Sequence, residues 1–479
     1  MARSLLTVAF MISALFSQRA LAQDDALARV AKAMGATDLK TLRYTADGTG
    51  WTFGQAYKPG MPWPKIKLHS VTRTINYDTG SMRDEVVLSR AEGIGGGGYP
   101  HVGTQRNDQY VSGAYAWNQL VTAPLPGPRF IADRVHQLWI TPHGVLKAAI
   151  KNKAGVRRAA DGGTAIAFSE PGRFNATAYV NASNLVERVE SRVPDAVLGE
   201  TDVVTRYGDY RDVGGIKFPT RVQQSIGGHP VLDVTVRDVQ PNVAADIQVP
   251  DLVRNATERV TADKVADGVW FIAGGSHNSV VVEMKDHLAL IEAPLGDVRM
   301  IPVVTEIAKL APGKPIRYVV NSHTHFDHAG GLRAAVGEGA TVITHVQNKA
   351  YFERAFATPN RVAPDHLAKS GKKARFITVD GKRTLTDGNR TLEIHSIADS
   401  HHSDAFLMVY LPKERLLIQA DSFTPGAPNT PPPKDPNPNH VNLIANLERL
   451  NLAVDRILPL HGRVVPIGDL YTAAGATPR

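Results

Sequence analysis

No cysteine occurs anywhere in the 479 residues. Disulfide bonds are excluded, so an exported chain of this kind has to be held together by its own core, which this length permits. Thiolate is excluded as a metal ligand, and every candidate donor must be His, Asp or Glu. A lipid-bearing cysteine anchor is excluded too. Beyond the first two dozen residues no segment is long and apolar enough to cross a bilayer, so stable membrane insertion is not expected. Charge of one sign is only in modest excess, with 54 Lys and Arg against 46 Asp and Glu for a formal +8. No block of Lys and Arg interleaved with aromatics stands out, which argues against a nucleic-acid partner. The excess reads as a solvated surface with a weak attraction for anions.

What is present is ordinary globular composition, 43% apolar and 21% charged, over a length that suggests two or more domains. Residues 1–22 combine Arg3, an apolar stretch from Leu5 to Phe16, and Ala20-Leu21-Ala22 immediately before Gln23. This is the pattern of a secretory signal peptide, and it implies a periplasmic or secreted mature chain.

Residues 23–255 read as a β-rich domain. A short helix is expected over Asp24 to Met34, stopped by Gly35. Period-two alternation follows over Leu42 to Phe53, Lys65 to Tyr77 and Ser81 to Arg90. Gly95 to Gly98 lack the Lys-Ser/Thr of a phosphate cradle and read as a flexible loop. Phe130 to Ile150 has helical character broken at Pro142. Strands then resume over Thr164 to Phe168, Ala176 to Val180, Val186 to Val193, Val203 to Arg211, Gly215 to Ser225 and Val231 to Val239. Long antiparallel strands with one or two helices predict a curved sheet or half-barrel. The pattern, particularly Tyr210-Arg211-Asp212-Val213-Gly214-Gly215-Ile216-Lys217-Phe218-Pro219, resembles the half-barrel of periplasmic lipoprotein carriers. That resemblance allows either an apolar ligand on the sheet or a sheet that packs on a catalytic domain and shapes its substrate, and the second is favoured because titratable groups are not concentrated here.

Residues 256–479 alternate strands with helices, as a layered α/β domain does. Ile316 to Val320 reads as a buried strand. It runs into Ser322-His323-Thr324-His325-Phe326-Asp327-His328-Ala329 and then Gly330 and Gly331, which open a helix. In near-extended backbone, side chains two apart point the same way, so His323 and His325 should stand together while the turn at Asp327 and His328 aims two more donors at a neighbouring point. That geometry suits two adjacent metal ions. Three later donors stand beside strands: His401-His402-Ser403-Asp404 precedes Phe406 to Leu411, Asp421 ends Leu416 to Gln419, and His461 ends Ile457 to Leu460.

The His-x-His-x-Asp-His motif resembles that of the metallo-β-lactamase superfamily. The resemblance implies an αββα sandwich, two sheets between helices, from about Val265 onward. It selects His402 over His401, because a His-Ser/Thr step stands at this place in the superfamily. It gives His323, His325 and His402 to one metal and Asp327, His328 and His461 to the other, with Asp421 between them. Seven imidazole and carboxylate donors suit two Zn²⁺ and tolerate iron or manganese. His277, in a hairpin loop that overhangs the metals in the superfamily, is a candidate for touching substrate. His345, His366, His395 and His440 read as structural or surface groups. The Pro- and Asn-rich stretch from Thr424 to His440 reads either as a pocket wall or as a rigid surface turn.

The chemistry expected is hydrolysis of a small molecule by a metal-bound hydroxide, with Asp327 orienting the water and carrying a proton to the leaving group. A full seven-donor set resembles the thioesterase and lactonase branches, so an ester, lactone or related acyl substrate is expected. The alternatives are a β-lactamase-like amide hydrolase, or a non-catalytic carrier of apolar ligands with a degenerate hydrolase domain.

Overall fold

A computed structural model describes residues 26–92, 95–100, 103–160 and 162–477. The expected signal peptide lies outside them. Thirteen strands between Thr41 and Pro241 form one wholly antiparallel sheet, and sequence neighbours pair throughout except at one seam. There the first strand, Thr41–Trp51, pairs with the last, His229–Pro241, which joins two meanders side by side. The buried positions of the first strand alternate, with Leu42, Tyr44 and Ala46 facing inward, as expected of a sheet covered on one face. Three helices cover that face: residues 26–33, Ile131–Trp139 and Pro142–Lys151. The break between the last two comes where Pro142 predicts it. Thr141 caps the new helix, its hydroxyl accepting from the Gly144 amide at 3.2 Å, and Pro142 occupies the first turn, where no amide hydrogen is required.

Leu138, Val145, Leu146, Ala148 and Ala149 are completely buried in the same cluster as Ile75, Phe174 and Val189 of the sheet. Protein side chains therefore cover the face that the half-barrel resemblance left free for an apolar ligand. The hairpin of Gln105–Ser112 and Tyr115–Gln119 and the short strand Pro124–Pro126 have no counterpart among the expected elements. Their polar sequence lies at the sheet edge and buries only Val111, Ala116 and Trp117, too few positions to show a period.

The C-terminal half has two further sheets. Seven strands from Thr261–Ala266 to Phe376–Val379 form one in sequence order, and six from Lys382–Thr386 to Val465–Pro466 form the other. The strand Ser279–Glu283 shows why the first must be central. Val280 and Val282 pack toward the second sheet, and Val281 packs toward the helices Asp297–Leu310 and Leu332–Glu338. A strand buried on both faces reads as a continuous apolar run. On the far side, Leu443 and Leu447 of Pro438–Arg449 close the second sheet. This is the expected αββα sandwich.

Topology brings the candidate donors to one edge. Leu288–Ile291, Ile316–Val320 and Thr341–His345 run parallel, so Glu292 and the His-rich loop leave the sheet from the same end. Leu416–Gln419 and Arg456–Pro459 are also parallel, which delivers Asp421 and His461 together. Leu407–Leu411 is antiparallel to Leu416–Gln419, so His402 enters where Asp421 exits.

The two halves meet at this edge. The aromatic rings of Phe53 and Phe326 pack edge to face at 5.0 Å, with Trp63 beside them. Gly54, at φ +76°, lies so close to Phe326 that a Cβ there would collide with the ring. Its carbonyl accepts the Phe326 amide at 3.2 Å.

Two histidines of the N-terminal core carry a pH dependence. Burial pushes His136 down to about 3, and burial, partly offset by the bond to the Met34 carbonyl, pushes His143 down to about 4. The unfolded chain takes up these protons near pH 6.5 and the folded chain does not. Stability from this source is complete above about pH 6.5 and is lost as pH falls toward the folded values, on the order of 3 kcal/mol per ring by pH 4. Thermal melts from pH 7 to pH 4 should therefore show a falling midpoint, and His136→Phe, whose ring packs edge to face on Phe174 at 4.9 Å, should flatten the slope. An equally steep slope in the variant would contradict this origin.

Candidate metal centre

The backbone of the motif does what its spacing predicts. His325 is extended at φ −60°, ψ 140° before the short helix Phe326–Ala329 begins. His323 and His325 stand on one side with ring centroids 4.3 Å apart, and the helical turn swings Asp327 and His328 to a second point. Two groups of donors result, each with ligand atoms within 4.8 Å of one another: His323, His325, His402 and Asp421, then His277, Asp327, His328 and His461.

Asp421 lies between them. Its Oδ2 is 2.8 Å from His402 Nε2, 3.0 Å from His328 Nε2 and 3.3 Å from His323 Nε2, and its Oδ1 is 2.8 Å from His461 Nε2. One carboxylate thus touches two imidazoles of each group. The turn that presents it is clamped by Gln419, whose amide donates to the Phe423 carbonyl at 2.7 Å and accepts the Phe423 amide at 2.9 Å.

The far nitrogens of three of the rings are anchored. His323 Nδ1 bonds Ser322 Oγ at 2.8 Å, His328 Nδ1 donates to Glu292 Oε2 at 2.6 Å, and His461 Nδ1 donates to the Ser276 carbonyl at 3.2 Å. His325 reverses the pattern: its Nε2 donates to the Ala56 carbonyl at 3.1 Å, and its Nδ1 is buried without a partner. A buried imidazole nitrogen with nothing to bond is costly unless it holds a ligand. Anchoring one nitrogen fixes the tautomer that offers the other to a cation.

The electrostatics ask for positive charge. Burial pushes His323 down to about 3, with Asp421 only partly opposing, and holds His325 well below the ordinary imidazole value. Both rings are therefore neutral and free to coordinate at neutral pH. At His328 burial also opposes the charge, but Asp421, Asp327 and Glu292 outweigh it and raise its pKa well above the ordinary value. Burial likewise works against ionisation of Asp327 and Asp421, yet His328 and the neighbouring rings hold both carboxyls well below the usual range. Ionised carboxylates beside the neutral rings of His323 and His325 fit divalent cations. Arg129, from the N-terminal half, lies within Coulombic reach of Asp327 and Glu258.

All seven donors expected from the sequence come together here. His277 joins them: its Nε2 is 3.2 Å from Asp327 Oδ2, and its ring centroid is 4.2 Å from that of His461. His401 stands apart against Tyr99 at 5.9 Å. His345, His366, His395 and His440 pair locally, with the Gln347 amide, Glu338, Glu393, and the Phe423 ring together with the Ala473 carbonyl.

Glu292 is a further residue of this site that the sequence leaves unmarked, although an acid ending the apolar strand Leu288–Ile291 is the same signal that marks Asp421. It is wholly buried, accepts from the Ser322 amide at 2.7 Å as well as from His328, and sits at φ +66°, a backbone that a non-glycine residue holds only under strain. Gln55 and Ala56, one domain away, carry no local signal at all. Glu292→Gln should leave His328 poorly oriented and weaken metal retention about 10- to 100-fold in a chelator competition; unchanged retention would show that Glu292 serves only the fold.

Residues 272–461 match the family model of the Metallo-beta-lactamase superfamily. No curated protein matches the chain. Similar solved structures include a metallo-beta-lactamase from Pontibacter korlensis, 19% identical over 45% of this chain and 98% of that one, with a TM-score of 0.35. A metallo-beta-lactamase from Hirschia baltica is 20% identical over 45% of this chain and 96% of that one, at a TM-score of 0.34. The rubredoxin oxygen:oxidoreductase of the anaerobe Desulfovibrio gigas is 19% identical over 45% of this chain and 60% of that one, at a TM-score of 0.35. The sandwich, its donor-bearing edge and the match over residues 272–461 together make the C-terminal domain of this chain a metallo-β-lactamase superfamily domain.

Proposed function

We propose that the protein is an exported two-zinc hydrolase of a small ester, lactone or related acyl substrate. The observation that carries this reading is Asp421, one carboxylate in contact with two imidazoles of each donor group. Two divalent cations held there would bring the pKa of a shared water near 7 and polarise a carbonyl oxygen. Imidazole and carboxylate donors without thiolate favour zinc, with iron and manganese as tolerated substitutes. The signal-like start, Leu5 to Phe16 followed by Ala20-Leu21-Ala22, supports export.

The chain's own groups supply the rest. The first donor group is closed, His323 and His325 being completely buried. The second opens to solvent at Asp327 and His461, whose side chains are 32% and 21% exposed. A substrate therefore approaches over Asp327. In this reading its carboxylate, kept ionised by the surrounding rings, holds the attacking water and passes its proton to the leaving oxygen. His277, which burial pushes down to about 4, is a neutral donor beside Asp327 and can orient either carboxylate or substrate.

Elemental analysis of the full-length protein as purified should give about two zinc or iron ions per chain. The same sample should hydrolyse a lactone or an aryl ester and lose that activity to a chelator. Turnover confined to a cephalosporin would move the assignment to an amide hydrolase. Near-zero metal content, with no turnover after zinc is added, would contradict the reading.

Asp327→Asn keeps the shape and removes the base. It should lower kcat about 10²- to 10⁴-fold and reduce zinc content at the same time. A variant with full kcat would remove Asp327 from the mechanism.

A further inference from the structure

The N-terminal domain reaches the metal centre itself. Three consecutive residues of its 52–64 loop contact three residues of the His-rich motif. The Gly54 carbonyl accepts the Phe326 amide at 3.2 Å, the Gln55 side-chain amide donates to Asp327 Oδ1 at 2.7 Å, and the Ala56 carbonyl accepts from His325 Nε2 at 3.1 Å. The first is seam packing, and the third fixes a tautomer. The second acts on a carboxylate whose other oxygen faces the second donor group, with Asp327 Oδ2 3.2 Å from His277 Nε2 and 3.8 Å from His328 Nε2.

Gln55 is itself held from behind. Its backbone amide donates to the Thr52 carbonyl at 3.1 Å, and its backbone carbonyl accepts the Gly97 amide at 3.1 Å. The Gly95 to Gly98 segment, expected from the sequence to be a flexible loop, is pressed against it. A Cβ at Gly96 would come within 2.7 Å of the Gln55 carbonyl oxygen, and one at Gly97 would fall on Gln55 Oε1. Gly95 and Gly96 also adopt φ +93° and +79°, the left-handed backbone that glycine tolerates. The Arg90 guanidinium ties the segment down by donating to the carbonyls of Gly95 and Gly97. The run of glycines therefore allows one backbone to close on another and fix one amide.

We propose that Gln55 is a positioning residue of the metal centre, which fixes the Asp327 carboxylate by one oxygen and so turns the other toward the second donor group. The proposal rests on the two-cation reading. A neutral amide suits this role because it satisfies Oδ1 without adding the positive charge that a Lys or Arg would set against the cation. Asp327 is more exposed than Asp421 or Glu292, and without Gln55 its carboxylate would keep only the contact of Oδ2 with His277 to orient it. In this view the N-terminal domain does more than shape the pocket, because it supplies part of the support that determines metal affinity.

The test is stepwise zinc binding by full-length protein, titrated against a chromophoric chelator, for wild type, Gln55→Met, Gln55→Ala and Lys58→Ala. Methionine keeps the length of the side chain and removes the donor, so it preserves packing that alanine gives up. Lys58 bridges to Asp404 across the same seam at 3.2 Å without touching Asp327, and it controls for loosened packing. The expected result is one binding step weakened about 10- to 100-fold in both Gln55 variants, the other step unchanged, and both steps unchanged in Lys58→Ala. Melting of the metal-free proteins checks that each is folded. Wild-type affinity at both steps in Gln55→Met would overturn the proposal, as would an equal loss in Lys58→Ala. Fewer than two zinc ions on wild type would instead overturn the two-cation reading, and with it the footing of this proposal, and that outcome is read from the wild-type arm alone.

Discussion

The constraint on which the structure turns is electrostatic. Asp421, Asp327 and Glu292 are gathered among imidazoles at the edge of a sandwich, and burial works against charge on the rings and on the two aspartates. Those three carboxylates raise the pKa of His328 well above the ordinary value. Removing one partner from such a cluster leaves an uncompensated buried charge, which costs far more than the contact itself. The donors are thus not separable decorations on the fold; His328 holds Asp327 and Asp421 ionised, and those carboxylates hold His328 in turn.

Secondary structure meets this constraint by geometry. Parallel pairing of Ile316–Val320 with its neighbours, and of Leu416–Gln419 with Arg456–Pro459, sends successive strand ends to a single edge. Core packing on both faces fixes the strands in register, so loops that are far apart in sequence are placed to within hydrogen-bond tolerance. The N-terminal sheet is filled by its own helices on one face and meets the metal edge through the 52–64 loop. Binding sites built this way depend on the shell around the ligands as much as on the ligands themselves.

How much of this is legible in the sequence depends on range. The His-rich loop is legible because its donors lie within six residues and alternate as extended backbone requires. Asp421 and His461 are legible because each terminates an apolar strand, whereas His402 over His401 needs the family resemblance, residue type alone leaving both open. Glu292 carries the same strand-end signal as Asp421, but its role rests on a bond to His328 across 36 positions of sequence, for which there is no local sign. The roles of Gln55 and the Gly95 to Gly98 segment are not legible at all. They arise from contacts between distant segments, Gln55 meeting Asp327 across 272 positions of sequence, where neither period nor spacing exists. The edge hairpin at Gln105–Ser112 is hidden for a different reason, since it buries too little to show a pattern.

The most direct test of the account is anomalous diffraction at the zinc edge from crystals of the full-length protein grown with zinc. Two peaks about 3.5 to 4 Å apart, one among His323, His325 and His402 and the other among Asp327, His328 and His461, with Asp421 reaching both, are the predicted result. A single peak, or zinc bound away from Asp421, would contradict it.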